Sequence, residues 1–229
     1  MDAVIVCIGD ELLSGDIADL NSTWLAKNLT ELGTLVKRIE VIPDDIAVIV
    51  QALKDIEADK VIVTGGLGPT HDDVTRVAVA SAFNRRLIRD PEAVKVVEAS
   101  AARHNRKPLP QSYNMADIPD NVVVIPNPVG AAPGFIVDGR VYAFPGVPSE
   151  MKAMFELVKD HFHGPKLMVD WIITEKPESA IVADLNEAVK RFPRVIFGSY
   201  PSDVVRIKMK SYDGGELQAA KEWLSKRVL

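Results

Sequence analysis

Residues 60–75 read Lys-Val-Ile-Val-Thr-Gly-Gly-Leu-Gly-Pro-Thr-His-Asp-Asp-Val-Thr. A β-branched run at 60–66 opens into a glycine-rich loop, and a helical pattern follows, so the segment is read as strand, turn and helix. Gly65, Gly66 and Gly68 are expected to let the chain turn with positive φ and bring backbone N–H groups close to a ligand. The helix behind them is expected to offer its N-terminus as an anion site, with Asp72 and Asp73 in its first turn. Carboxylates beside a phosphate cradle make sense when a divalent cation bridges them, since Mg²⁺ usually takes one or two carboxylates plus phosphate oxygens. The plainer reading is a tight βα turn with an aspartate as helix cap; this segment alone leaves both open. No Gly-Lys-Ser/Thr follows, and the glycine spacing is not G-x-G-x-x-G, so neither the P-loop nor the dinucleotide fingerprint is present.

Outward from this segment, short β-branched runs recur at 3–9, 35–42 and 121–127. Between them lie stretches with helical spacing, such as Ile46, Ile49, Val50, Leu53 and Ile56, or Trp24, Leu25, Leu29 and Leu32 closed by Gly33. Apolar runs joined by helices predict a parallel sheet covered on both faces. Asp90-Pro91-Glu92 reads as a helix start, and 134–144 as a hairpin around Asp138-Gly139. Ser149-Glu150 is expected to cap a helix bearing Met151, Met154, Phe155, Val158 and Phe162. Ligands bind parallel sheets at the carboxyl ends of the strands. Five Gly- or Pro-rich, mostly acid-bearing loops fall there, beginning at Gly9, Pro43, Thr64, Asn127 and Pro145.

Gly164-Pro165 marks a boundary. Beyond it the order becomes strand, helix, strand, strand, helix, a small α+β layer. The domains are therefore read as 1–164 and 165–229, the second shaping or pairing the protein without a catalytic residue. Across 229 residues, 47% are hydrophobic and 26% charged, with a net charge of −5. That balance lacks a whole-chain basic field for nucleic acid, and no nucleic-acid partner is expected. The single cysteine, Cys7, is read as a core residue and excludes an internal disulfide or a multi-cysteine zinc site. His161 and His163 are read as a helix-terminal pair, and Arg85, Arg86, Arg89, Arg103, Arg106 and Lys107 as solvated clusters. With no signal peptide and no apolar run near the ~20 residues of a membrane helix, a cytoplasmic protein without a membrane partner is expected.

Taken in order, four blocks resemble the CinA family: GDELLSG with D-x-N at 9–21, TGGLGPTHDDVT at 64–75, NPVGAAPGF at 127–135 and FPGVPSEM at 144–151. The match is to its N-terminal part, within the superfamily of molybdopterin-binding domains of the MoaB, MogA and MoeA kind. The resemblance implies a three-layer α/β/α domain with a mostly parallel sheet, followed by a small C-terminal α+β domain. It assigns Asp44 and Asp73 as catalytic and metal-binding acids. Gly9, Glu11, Ser14, Gly15, Asp19 and Asn21 become substrate-binding candidates in the first loop. Thr64, Gly65, Gly66, Gly68, Pro69, Thr70 and Asp72 are the candidates in the second. Asn127, Gly130, Gly134, Pro145, Gly146 and Pro148 complete the set. The implied cofactor is a divalent cation of the Mg²⁺, Mn²⁺ or Co²⁺ type, with K⁺ as a further candidate.

The implied activity is metal-dependent hydrolysis of a nucleotide pyrophosphate such as ADP-ribose. The alternatives are molybdopterin adenylylation or binding, for which Val147 departs from the relatives' PGSP-like ending, and a nucleotide-binding module without turnover. The partner is thus a small-molecule nucleotide or pterin, and a homo-oligomer, dimer or trimer, is expected. The family's C-terminal amidase domain is not expected in a chain ending at Leu229.

Overall fold

A computed structural model describes residues Met1–Leu229, which form two compact units, Met1–Gly164 and Pro165–Leu229. The first unit contains β1 (Asp2–Ile8), α1 (Asp10–Leu13), α2 (Leu20–Glu31), β2 (Leu35–Ile42), α3 (Ile46–Asp55), β3 (Lys60–Thr64) and α4 (Thr75–Ala82). It continues with β4 (Leu87–Arg89), α5 (Pro91–Arg103), a 3₁₀ segment (Pro110–Ala116), β5 (Asp117–Pro119), β6 (Val123–Ile125), β7 (Gly134–Val137), β8 (Val141–Phe144) and α6 (Pro148–Val158).

The six-stranded sheet has the order β2-β1-β3-β8-β7-β6, and β2, β1, β3 and β8 are mutually parallel. Side chains of a strand alternate between faces, and β1 divides its residues accordingly. Val4, Val6 and Ile8 join the core under α3, α4 and α5, whereas Ala3, Ile5 and Cys7 join the core under α2 and α6. Covering both faces leaves β1 with no polar side from Ala3 onward, which is why it reads as an unbroken apolar run. On the second face, Phe155 stacks on Phe162 and meets Trp24 edge-on, both at 5.4 Å between ring centres. Burial of such rings contributes about 1.5–3 kcal/mol each.

Two local readings are corrected. The run at 121–127 is not a buried parallel strand: only Val123–Ile125 form β6, which pairs antiparallel with β7 at the sheet edge. The Asp138-Gly139 turn, with φ of +51° and +63°, reverses β7 against β8, and β6 then takes the outer place. Being antiparallel to β7, it points the same way as β8, so its exit loop still opens at the carboxyl edge. The second correction concerns α6, which starts at Pro148 with Val147 as its cap and no side-chain cap hydrogen bond; Ser149 lies inside the helix. Pro suits this first helical position because its missing N–H has no intrahelical acceptor there.

The basic clusters are largely paired. Arg85, Arg86 and Arg89 bind Asp138, Asp120 and Asp117, and Arg103 donates to the Gly130 carbonyl. His161 Nδ1 lies 3.1 Å from the Tyr142 hydroxyl and His163 3.3 Å from Asp160, so the two do not converge.

The second unit contains β9 (Met168–Thr174), α7 (Glu178–Arg191), β10 (Ile196–Pro201), β11 (Val205–Ser211) and α8 (Gly214–Val228). Its antiparallel sheet has the order β10-β11-β9. One face packs Ile172, Val205, Ile207 and Met209 against Ile181 and Ala188 of α7 and Leu217, Ala220 and Leu224 of α8. No helix of the chain is long and apolar enough to cross a membrane.

Gly65 has φ +104°, and a Cβ there would collide with the Ile8 carbonyl oxygen. Gly65→Ala should therefore cost at least about 2 kcal/mol of stability, the left-handed backbone strain plus a clash with backbone that cannot move aside. Gly15, at φ +79° with open space around it, provides the control, and Gly15→Ala should cost only the strain of about 1–2 kcal/mol. Calorimetric melting of the two variants checks the difference.

Candidate functional site

The carboxyl ends of β1, β2, β3 and β8 surround a crevice of about 660 Å³. Gly9, Glu11 and Leu12 line it after β1, with Asp19 and Asn21 where α2 begins; Asp44 comes from the loop after β2. Thr64, Gly65, Gly66, Gly68, Pro69, Asp72 and Asp73 come from the loop after β3, and Pro145, Gly146, Pro148 and Glu150 from the loop after β8.

The glycine loop is held from three sides. The Gly65 N–H donates to the Phe144 carbonyl at 3.0 Å. The Thr75 hydroxyl and N–H donate to the carbonyls of Gly65 and Gly66, at 2.8 and 3.2 Å. The first N–H of α4 is thus spent on the loop. One expectation is corrected here. Positive φ belongs to Gly65 and Gly66 (+104° and +65°), not to Gly68. Gly68 is small for another reason, since a Cβ there would lie 2.5 Å from an Asp73 oxygen.

Asp73 lies before α4, which begins at Thr75, and not in its first turn. Its carboxylate accepts from Gly68 N–H at 2.8 Å, from Thr70 N–H at 2.9 Å and from the Thr70 hydroxyl. It thus folds the loop back on itself. Arg76, buried, donates one arm to the Gly68 carbonyl at 2.9 Å and the other to the Asn114 carbonyl, while its Nε–H has no acceptor. Burial pushes its guanidinium below the usual arginine range, with Asp73 and Asp117 opposing that shift. The N–H groups of Gly66 and Leu67, on the crevice wall, are among the loop amides without a protein acceptor.

Six carboxylates line the crevice (Glu11, Asp19, Asp44, Asp72, Asp73 and Glu150), and no Lys, Arg or His does. Asp44 is raised above the usual aspartate range, first by burial and then by the charges of Asp10, Glu11 and Asp72, while an Asp10 N–H bond at 3.0 Å opposes the shift. Asp45, beside it, caps α3 through Val48 N–H. Asp19 caps α2 through Ser22 N–H at 2.9 Å. The N-termini of α2 and α6 both open on the crevice, and their positive ends partly offset its acids. Asn21, 8% exposed, donates from Nδ2 to the Gly146 carbonyl at 2.7 Å. Only its amino group can face that carbonyl, which fixes the amide orientation and leaves Oδ1 buried without a donor.

Other candidates lie outside the crevice wall. Ser14 bonds Asp16 at 2.6 Å, Gly15 supplies a left-handed turn, and Thr70 is bound to Asp73. Asn127 is fully used as a bracket: Oδ1 accepts from Val129 and Gly130 N–H, and Nδ2 donates to the Ala132 carbonyl and to Glu150. Gly130 leaves room for the Glu150 carboxylate, and Gly134 opens β7 against the Ala143 carbonyl. Met115 lines the crevice without any sequence signal, and Ala131, Ala132 and Val147, within the blocks that carry the resemblance, join it though not named among the substrate-binding candidates. Glu150 was legible only as a helix-start acid; the tie to Asn127 brings it to the wall. His71 is fully solvent-facing.

Residues 4–163 match the family described as "Probable molybdopterin binding domain", and residues 166–228 match "FAD synthase, middle domain". A protein of Archaeoglobus fulgidus is 38% identical over 223 residues, covering 96% of this chain and 95% of its own. One from Pyrobaculum calidifontis is 37% identical over 211 residues, covering 87% and 80%. Among solved structures, the CinA protein of unknown function from Thermoplasma acidophilum superposes with a TM-score of 0.65 at 34% identity, over 71% of this chain and 99% of that one. With its parallel carboxyl-edge crevice and trailing α+β unit, the chain belongs to the molybdopterin-binding-domain family, among its CinA-like members.

Proposed function

We propose that the crevice binds a phosphate-bearing nucleotide or pterin together with a divalent cation. Its chemistry, on this reading, is hydrolysis of a nucleotide pyrophosphate of the ADP-ribose type. The observation that carries the reading is the wall of six carboxylates without a basic side chain. A bare pyrophosphate would be repelled there, and a cation reverses the sign of the field.

The donors are hard oxygens, which fit Mg²⁺ or Mn²⁺. Asp44 and Asp73, the two acids that the resemblance assigns to the ion, would hold it, with Asp72 and Glu11 on the same wall; Asp73 also shapes the loop by accepting from Gly68 and Thr70. No three acids converge on one point, so the ligand's own phosphate oxygens must complete the coordination, as is usual for Mg²⁺. When bound, the cation neutralises the phosphates and lowers the pKa of an attacking water. The chain's residues supply the rest. The free N–H groups of Gly66 and Leu67, with the N-terminal ends of α2 and α6, face the phosphate oxygens. The unpartnered Asn21 Oδ1 accepts from a ligand O–H or N–H, such as a ribose hydroxyl. Water attack at one phosphorus breaks the P–O–P bridge and yields AMP and a sugar phosphate. The second reading, binding or adenylylation of a pterin, is favoured by the family matched over 4–163.

Incubating the chain with ADP-ribose, with and without MgCl₂, MnCl₂ or CoCl₂, should release AMP only when metal is present. Transfer of AMP from ATP to a pterin instead would establish the second reading, and tight binding without turnover would leave a binding module. Asp44→Asn should remove metal-dependent activity and any rise of Tm on adding metal. The same variant should raise Tm without metal, because burial and three neighbouring acids disfavour a negative charge at this position. Retained metal response would remove Asp44 from the site. Asp73→Asn should lower stability with or without metal, by about 1–3 kcal/mol, since an amide cannot accept as the carboxylate does from three donors; an unchanged melting curve would contradict its role as loop staple. Asn21→Leu should weaken nucleotide binding about tenfold, the worth of one hydrogen bond to a buried acceptor, as read by titration calorimetry.

A further inference from the structure

The sheet of the second unit has helices on one face only. The alternation that sends Ile172, Ile207 and Met209 into the core sends the intervening residues of all three strands to the other face. Along the central strand β11 these are Arg206, Lys208 and Lys210. Trp171 of β9 and Gly198 of β10 flank Lys208, Ile173 and Tyr200 flank Arg206, and the exposed Val169 and Ile196 flank Lys210.

Three observations define this face. It is open: Trp171 is 41% and Tyr200 51% exposed. Its aromatics are gathered, with the two rings 5.8 Å apart and Lys208 Nζ 5.0 Å from the Trp171 ring centre. A Cβ on Gly198 would lie 3.5 Å from the Tyr200 ring, so the glycine leaves the centre of the platform flat. Its cations are also unpaired. The ion pairs of this unit use Arg194, Lys221 and Arg227, and none involves Arg206, Lys208 or Lys210. No acid stands among the outward residues; Asp170 points to the helix face, where Lys221 holds it. Burial and the charge of Lys208 both push the Lys210 ammonium down.

We propose that this sheet face binds single-stranded nucleic acid. A row of three cations, with the exposed Tyr200 ring beside Arg206 and the Trp171 ring beside Lys208, fits a ligand that offers phosphates and flat bases at once. An apolar partner would strip water from three unpaired charges. A two-fold related copy whose axis crosses the row would set it against itself. Duplex ends few base faces outward, whereas an open strand can lay two or three bases on such a platform. The whole-chain charge of −5 conceals the feature. Residues 165–229 carry eleven Lys and Arg against nine Asp and Glu, while residues 1–164 carry sixteen against twenty-three.

The test titrates the full chain into labelled 12-nucleotide oligo-U and oligo-dT and a duplex of the same length, at low salt, by fluorescence anisotropy. The single strands should bind with a log–log salt slope of about −2, as three phosphate contacts on a single strand require, and the duplex at least tenfold more weakly. The triple variant Arg206→Glu, Lys208→Glu, Lys210→Glu should lose binding at least tenfold. Trp171→Ala and Tyr200→Ala should each weaken it about tenfold while leaving the salt slope unchanged. Melting curves establish that each variant folds, and Lys208→Gln serves if the triple variant does not. Absence of binding at 100 µM protein, equal affinity for duplex, or binding indifferent to these substitutions would overturn the proposal. So would sedimentation showing that the variants dissociate a dimer, which would make the face a contact between copies.

Discussion

Gly65 has no room for a side chain: its α-carbon lies against the Ile8 carbonyl, and its N–H is bound by Phe144. That close approach ties the ends of β1, β3 and β8 into one edge. Thr75 then binds the carbonyls of Gly65 and Gly66, so α4 starts where the loop ends. Asp73 and Arg76 complete the arrangement from either side of Gly68, one accepting its N–H and the other donating to its carbonyl. Such a loop is preorganised, its conformation fixed by bonds to β8, to α4 and within itself.

This locking has an electrostatic consequence. No Lys or Arg pairs with the acids of the crevice: Asp19, Asp44 and Asp73 accept from backbone N–H groups and Glu150 from the Asn127 amide. Arg76, the nearest buried cation, spends both arms on carbonyls. Asp44 therefore keeps company with Asp10, Glu11 and Asp72, and its raised carboxyl records that repulsion as well as burial. The protein leaves a field at the crevice that a cation or a hydrogen-bond donor relieves. The opposite choice was made on the open face of the second sheet, where Arg206, Lys208 and Lys210 stand without acids. Two small-scale charge patterns of opposite sign cancel in the composition and are visible only by position.

Much of the fold was legible from local rules. Alternating β-branched runs and helical stripes predict the parallel sheet, Asp138-Gly139 predicts the β7-β8 hairpin, and Gly164-Pro165 coincides with the limit of the first compact unit. Each rests on chemistry between near neighbours in sequence. The readings that failed needed knowledge of what lies across space. Residues 121–127 have strand composition, but edge position and antiparallel pairing follow from the hairpin that occupies the neighbouring place. Ser149 has cap chemistry, yet Pro148 starts α6 one residue earlier.

The site divides along the same line. Glycine where the chain must turn left-handed is a property of backbone sterics, so residue type alone marked the 64–75 loop; Asp44 was singled out only by the family resemblance. Which acid staples the loop depends on hydrogen bonds. Asp72 and Asp73 are neighbours of identical type, and only the folded loop shows that Asp73 is bound by Gly68 and Thr70. The orphaned Asn21 oxygen exists because Gly146, 125 residues away, takes the amino group. Asn127 and Glu150 meet because β7 and β8 fold back between them. Local sterics and alternation are written along the chain; the satisfaction of each polar group is decided by tertiary structure, because its partner comes from another strand's loop.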